Sequence, residues 1–313
     1  MAKKFDFIKP LKWVLIVYAV LAVLGIVFSV IFGVRMDINF KGGTVITYNY
    51  TFGEGKADDI VIDDVKALVT ENLKADSTVT KGASIAGETY TITVSLVDNE
   101  AITTDAQEAL SKALQTKYPD NNIALYSSTS VSPTLASSFF LKALAAVLVV
   151  AILVIVYVGF RFRKIGGITA AITALVALLL DVIISFIACV VFRLQIDMNY
   201  IAVVLTILGY SLNDTIVVYD SVRENKKSAE GLTLAQTVNK SLGNVIARNI
   251  VTTTTTVLAV LTIIVVSELY GLTTLRSFAI PMVFGLISGC VTSIFVATPL
   301  WVAWRNKIDS KKK

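Results

Sequence analysis

Six stretches of this chain are too long and too free of charge to pack as ordinary soluble elements. Residues 13–34 run for 22 positions without a charge, and residues 143–160 for 18. Residues 165–192 span 28 positions interrupted only by Asp181, and residues 198–219 span 22 interrupted only by Asp214. Residues 249–267 and 277–304 add uncharged runs of 19 and 28. A bilayer core about 30 Å thick takes roughly 20 apolar residues at about 1.5 Å rise each. Charged residues make up 16% of the 313 positions, against about 25% in a typical soluble domain, and the mean hydropathy is +0.73. The pattern predicts a polytopic α-helical membrane protein with six transmembrane helices. The first run exceeds the roughly 7–15 apolar residues of a secretory signal, and no small-x-small cleavage site follows before Arg35, so it reads as an uncleaved span.

Basic residues in the flanks set the expected orientation. Lys3, Lys4, Lys9 and Lys12 precede span one, and Arg161, Arg163 and Lys164 fill the turn between spans two and three. Arg223, Lys226, Lys227 and Lys240 lie between spans four and five; Arg305, Lys307 and Lys311 to Lys313 follow span six. The opposite loops carry only Arg193 and Arg276. Both termini (residues 1–34 with span one, and the basic tail 305–313) are therefore expected on the cytoplasmic side of a plasma membrane. Residues 35–138 then lie outside it, and 139–304 carry spans two to six. The net charge of +5 follows from this sidedness, so it implies lipid bilayer contact and no nucleic acid. The chain has no His, and Cys189 and Cys290 both fall inside apolar runs. That argues against a zinc site or a histidine relay, and no cofactor is expected.

Between spans one and two the periodicity changes. Residues 44–50 are rich in β-formers, and residues 58–73 place Ile60, Val61, Val65, Leu68, Val69 and Leu73 at helical spacing. Residues 78–84 and 89–97 read as strands around a turn at Ala86-Gly87, residues 104–118 as an amphipathic helix and 122–130 as a last strand. The order β-α-β-β-α-β predicts an extracytoplasmic ferredoxin-like α+β domain. Lys41-Gly42-Gly43-Thr44 lacks the spacing of a phosphate loop and reads as a turn into the strand. Glu54, Asp58, Asp59, Asp63 and Asp64 do not fit an EF-hand and suit a helix N-terminus. Residues 127–138 read as a Ser/Thr-rich linker back to the membrane, and no catalytic constellation is present.

Polar groups inside the spans are the functional candidates, since an ionised side chain at mid-span costs about 2.5–3.5 kcal/mol on insertion scales. Asp181 lies near the middle of span three, Asn213-Asp214-Thr215 lies in span four, and Arg248 opens span five before Thr252 to Thr256. Spans four and five run antiparallel, so Asp214 and Arg248 are expected to face each other, with Thr252 one turn on from Arg248. A buried carboxyl favours its neutral form and a nearby guanidinium its charged form, so helix movement switches between the two. A proton crossing the membrane delivers about 2.3 kcal/mol per 100 mV, comparable to the gap between two conformations of a protein. Asp214, Arg248, Thr252 and Asn213 are therefore the expected proton relay, with Asp181 secondary. The competing reading is a buried ion pair that locks two helices, with threonines bonded back to their own carbonyls. Residues 223–247 are expected to lie along the cytoplasmic surface, with Leu234, Val238, Leu242, Val245 and Ile246 on one apolar face.

The run Gly209-Tyr210-Ser211-Leu212-Asn213-Asp214-Thr215, continuing Ile216-Val217-Val218-Tyr219-Asp220-Ser221-Val222-Arg223-Glu224-Asn225, resembles the span-four signature of the SecD/SecF protein-export family of the RND superfamily. Phe40-Lys41-Gly42-Gly43 is similar to the family's element outside span one, and Asp181 to its span-three Asp. The resemblance implies an RND-type half that pairs with a six-span SecD beside the SecYEG translocon, with YajC and YidC as further candidates. It implies use of the proton-motive force to assist export of unfolded polypeptide, with Asp214 as relay residue beside Arg248 and Thr252. The chain would then be a translocation auxiliary and not an enzyme. Two departures stand out: Leu180 where many members carry His, and Asn39 where a second Asp is usual. A half-module of a lipid or small-molecule pump is the second reading and would call for a much larger insert or a fused second half. A membrane scaffold is the third.

Overall fold

In a computed structural model, residues 6–51, 60–75, 77–83, 90–97, 102–227, 231–270 and 272–310 are described. Glu54, Asp58, Asp59, the Ala86-Gly87 turn, Lys3, Lys4 and the final three lysines lie outside the described residues. Unbroken apolar sequence yields long helices: α1 (Leu11–Phe32), α5 (Pro133–Arg161), α6 (Gly167–Val191), α7 (Met198–Lys227) and α8 (Leu234–Leu269). The sixth span is α9 (Thr273–Thr292), continued by a π-helical turn (Ser293–Ala297) into α10 (Thr298–Ser310). Among the described residues, six helical segments are long and apolar enough to cross a membrane.

The insert comprises a one-turn helix α2 (Ile38–Lys41), then β1 (Gly43–Tyr50), α3 (Ile62–Leu73), β2 (Thr78–Ala83), β3 (Tyr90–Val97), α4 (Thr104–Lys117) and β4 (Ala124–Val131). This is the expected β-α-β-β-α-β order. The strands form an antiparallel sheet in the order β2-β3-β1-β4. Strand alternation puts Ile46, Tyr48, Tyr50, Ile92, Val94 and Leu96 on one face, against Val65 and Val69 of α3 and Leu110 and Leu114 of α4. That apolar cluster gives the insert a core of its own.

Lys41-Gly42-Gly43-Thr44 forms the expected turn into β1. Gly43 has φ +134°, and a Cβ there would collide with the Leu96 carbonyl of β3. Gly43→Ala therefore has no local solution short of moving β1 from β3. We expect it to destabilise the insert by about 1–3 kcal/mol, read as faster amide exchange across residues 43–50 and 90–97. Unchanged protection there contradicts this account of the turn.

Two sequence expectations need correction. Residues 127–138 are not a linker: β4 runs to Val131, and Ser132 caps α5, its hydroxyl accepting from the Leu135 amide at 3.4 Å with Pro133 at the first turn. The Ser/Thr content belongs to a strand at the sheet edge, where side chains face out and need no apolar alternation. Nor do residues 223–247 form a separate surface helix. Residues up to 227 complete α7, and from Leu234 the chain runs continuously in α8 after a Thr233/Gln236 capping box. Val238 and Leu242 of its apolar face are fully buried, and Leu234, Val245 and Ile246 pack on the same cluster. Ser241 and Ser221 exchange hydroxyl-to-carbonyl bonds at 3.3 Å, so protein covers the face assigned to lipid.

The segments following α1 and α6 repeat a short pattern, Met36-Asp37-Ile38-Asn39-Phe40 and Ile196-Asp197-Met198-Asn199-Tyr200. They pair in parallel at Met36 and Ile196, with the Asp37 amide donating to the Ile196 carbonyl at 3.0 Å and the Ile196 amide to the Arg35 carbonyl at 2.8 Å. Each Asp caps the turn it begins: Asp37 accepts from the Asn39 amide at 2.8 Å, and Asp197 from the Tyr200 amide at 3.0 Å. The pairing ties the base of the insert to the end of α6.

A candidate intramembrane polar site

Helix α7 carries a buried polar stripe. Ser211, Asp214, Thr215 and Tyr219 fall at i, i+3, i+4 and i+8, so they share one face, and all four are buried. Glycine lets a neighbour approach that face closely: a Cβ on Gly289 of α9 would stand 2.9 Å from the Ser211 Cβ. Lower on the stripe, the Thr215 hydroxyl donates to Ser293 Oγ at 3.0 Å, and Tyr219 shares a proton with Thr173 of α6 at 2.9 Å.

Asp181 of α6 is wholly buried and accepts from three hydroxyls on two other helices. Ser211 donates to Oδ2 at 2.6 Å, Ser288 to Oδ1 at 2.6 Å, and Thr292 to the two oxygens at 2.9 and 3.1 Å. Behind Ser288 stands Tyr18 of α1, whose hydroxyl lies 2.9 Å from Ser288 Oγ. One carboxylate thus links α6, α7 and α9 directly and α1 through a relayed hydroxyl.

Asp214 is held differently. It is 2% exposed, and its one side-chain hydrogen bond among the described residues is a long one, from Thr253 Oγ1 of α8 at 3.4 Å. Arg248 acts on it by charge across the α7–α8 seam, but among the described residues no ion pair within 4.0 Å joins the two. The expected contact pair is therefore a longer-range one. Thr252 is also displaced from its expected place. Its side chain is exposed and bonds back to the Arg248 and Asn249 carbonyls, each at 3.0 Å, while its own carbonyl accepts from the Tyr210 hydroxyl at 2.8 Å. Asn213 is exposed, one residue round the helix from Asp214.

The phase of α8 explains the shift. Counting four on from Arg248 gives Thr252, but the buried face of this turn is Asn249 and Thr253, also four apart and both buried. Arg248 and Thr252 sit on the adjacent, exposed face. Within a run of five threonines, composition gives no clue to which one points inward. Ser288 and Thr292 were likewise missed, although their i, i+4 spacing in an otherwise apolar span was a readable signal.

The two carboxylates differ in how they are held. Three hydroxyls from two neighbouring helices tie Asp181 in place, whereas Asp214 has one long bond, from Thr253.

Six membrane-length helices around a buried polar seam, with a small α/β insert after the first, define a polytopic membrane protein of the transport type. Residues 110–307 match the family described as protein export membrane protein SecD/SecF, C-terminal, and the chain belongs to that family. It is 32% identical to the protein translocase subunit SecF of Alicyclobacillus acidocaldarius, over 99% of this chain and 96% of the relative. It is 30% identical to the protein translocase subunit SecDF of Bacillus subtilis, over 97% of this chain and 39% of that one. Among solved structures it resembles crystalline SecDF of Thermus thermophilus, a translocon-associated membrane protein, at TM-score 0.77 and 28% identity over 97% of this chain. Here too the chain spans only 39% of the longer relative.

Proposed function

We propose that this chain is the SecF-type half of a protein-export auxiliary that pairs with a SecD-type half. The pair uses the proton-motive force to draw unfolded polypeptide outward through a SecYEG translocon. Support for a partner comes from relatives in which a matching region is one part of a longer SecDF chain. Support for proton coupling comes from Asp214, a buried carboxylate with one long hydrogen bond and a cation nearby but not in contact. On this reading both termini are cytoplasmic and the α/β insert is extracytoplasmic, where an emerging chain is met.

The test is export by the reconstituted SecD-type and SecF-type pair with SecYEG in proteoliposomes. Collapsing the proton gradient with a protonophore should remove the stimulation the pair gives. Stimulation that survives the collapse contradicts proton coupling, and stimulation restored by a sodium gradient reassigns the ion. A second expectation concerns Arg248. If its charge acts on Asp214 through space, Arg248→Ala changes the pH profile of stimulation by the order of one unit, whereas Arg248→Lys largely keeps it. Superimposable profiles for wild type and Arg248→Ala exclude Arg248 from the relay.

A further inference from the structure

Arg35 and Arg193 break the charge asymmetry of the loops: they stand just past the ends of α1 and α6, at the membrane border where short loops are otherwise poor in cations. The structure brings the Arg35 side chain onto the backbone of Arg193. Arg35 Nη1 donates to the Arg193 carbonyl at 3.4 Å, and burial together with the Arg193 charge pushes the Arg35 guanidinium below its ordinary pKa. Among the described residues, neither has a carboxylate within ion-pair distance.

Arg193 also occupies a position that ordinarily goes to glycine. Helix α6 closes in a Schellman motif, the Leu194 amide donating to the Cys189 carbonyl at 2.8 Å and the Arg193 amide to the Val190 carbonyl at 3.1 Å. This requires left-handed backbone at Arg193, with φ +54°. The Arg193 guanidinium lies 5.4 Å from the centre of the Phe32 ring, the last residue of α1. That contact sets it at the end of α1, whose residues Val30 and Ile31 face outward.

Arg35 and Arg193 both line a groove of about 690 Å³ between the span ends and the sheet. The other charges on the groove are largely engaged. Asp37 and Asp197 are committed as caps, and Arg276 is paired with Glu268 at 3.1 Å. What remains is two arginines lining one groove beside the outward-facing apolar end of α1. A phosphodiester matches the paired positive charge and acyl chains match the helix.

We propose that Arg35 and Arg193 bind the phosphodiester headgroup of an anionic phospholipid from the adjoining leaflet. The site steadies the junction between span ends and insert, and it stands independently of the export reading. The test places the full chain in nanodiscs of phosphatidylcholine containing phosphatidylglycerol, then measures retained phosphatidylglycerol by native mass spectrometry. Wild type should retain it selectively. Arg193→Gly and Arg35→Gln should each weaken retention on the order of fivefold, and Arg35→Lys with Arg193→Lys should preserve most of it. Arg193→Gly suits the left-handed backbone, so thermal stability should hold or rise while lipid is lost, which separates binding from folding. Equal retention by wild type and the Arg35→Gln, Arg193→Gly double variant overturns the proposal. So does displacement of the lipid by millimolar inorganic phosphate, which would make this a free-anion site.

Discussion

Asp214→Asn should reduce export by the reconstituted complex to its level without a proton gradient, while co-purification with the SecD-type partner stays intact. The substitution is nearly isosteric, and the amide oxygen can still accept from Thr253, so the α7–α8 packing has no reason to change. Only the ability to gain and lose a charge is removed. The expected loss is the whole gradient-dependent component, because a proton delivering about 2.3 kcal/mol per 100 mV does no work on a group that cannot bind it. Thr253→Val is the graded companion: it deletes the one hydroxyl on the carboxylate and should alter the pH profile without abolishing stimulation. Thr252→Val, whose side chain points away, should be nearly silent. If Asp214→Asn exports as well as wild type under a gradient, Asp214 is not the coupling residue. If Thr252→Val is the more damaging threonine change, the phase assigned to α8 is wrong.

What was legible beforehand follows from the range of each interaction. Span number and length were readable because the bilayer imposes one requirement on about 20 consecutive residues, and charge-free runs meet it or do not. The β-α-β-β-α-β order was readable because strand alternation and helical spacing are local. The candidate site was half legible. A charge in an apolar run is conspicuous, so Asp181, Asp214 and Arg248 stood out. Their partners are neutral hydroxyls, and a serine or threonine in a span is common enough to carry no signal alone. Helix phase then decided between Thr252 and Thr253, and phase is set by what α8 packs against over its whole length. The same cause lies behind the error over residues 223–247. An apolar face at helical spacing is equally suited to lipid and to protein, and only the neighbouring Ser221, Val222 and Phe7 settle which covers it.

Asp181 separates a lock from a relay, and two substitutions divide the cases. As a lock, its task is to accept from Ser211, Ser288 and Thr292 and so hold α6, α7 and α9 in register. Asp181→Asn keeps an acceptor oxygen for the hydroxyls on one side, and a hydroxyl on the other side can rotate to accept from the new amide group. It should therefore cost about 1 kcal/mol and leave gradient-driven export largely intact. Asp181→Leu keeps the volume and removes every acceptor. Each hydroxyl left without a partner costs about 1–3 kcal/mol, although Thr292 can fall back on the Gly289 carbonyl, already within 3.3 Å, and Ser288 on the Tyr18 hydroxyl. A net destabilisation of roughly 2 kcal/mol follows, chiefly from Ser211, seen as a lower unfolding temperature in detergent and weaker recovery of the complex. A relay inverts the ranking of functional effects: Asp181→Asn would then stop gradient-driven export at unchanged stability, as Asp214→Asn is expected to do. The comparison of the two asparagine variants in one assay decides it. With three hydroxyl bonds on Asp181 against one long bond on Asp214, we expect that assay to show the lock at Asp181 and the moving charge at Asp214.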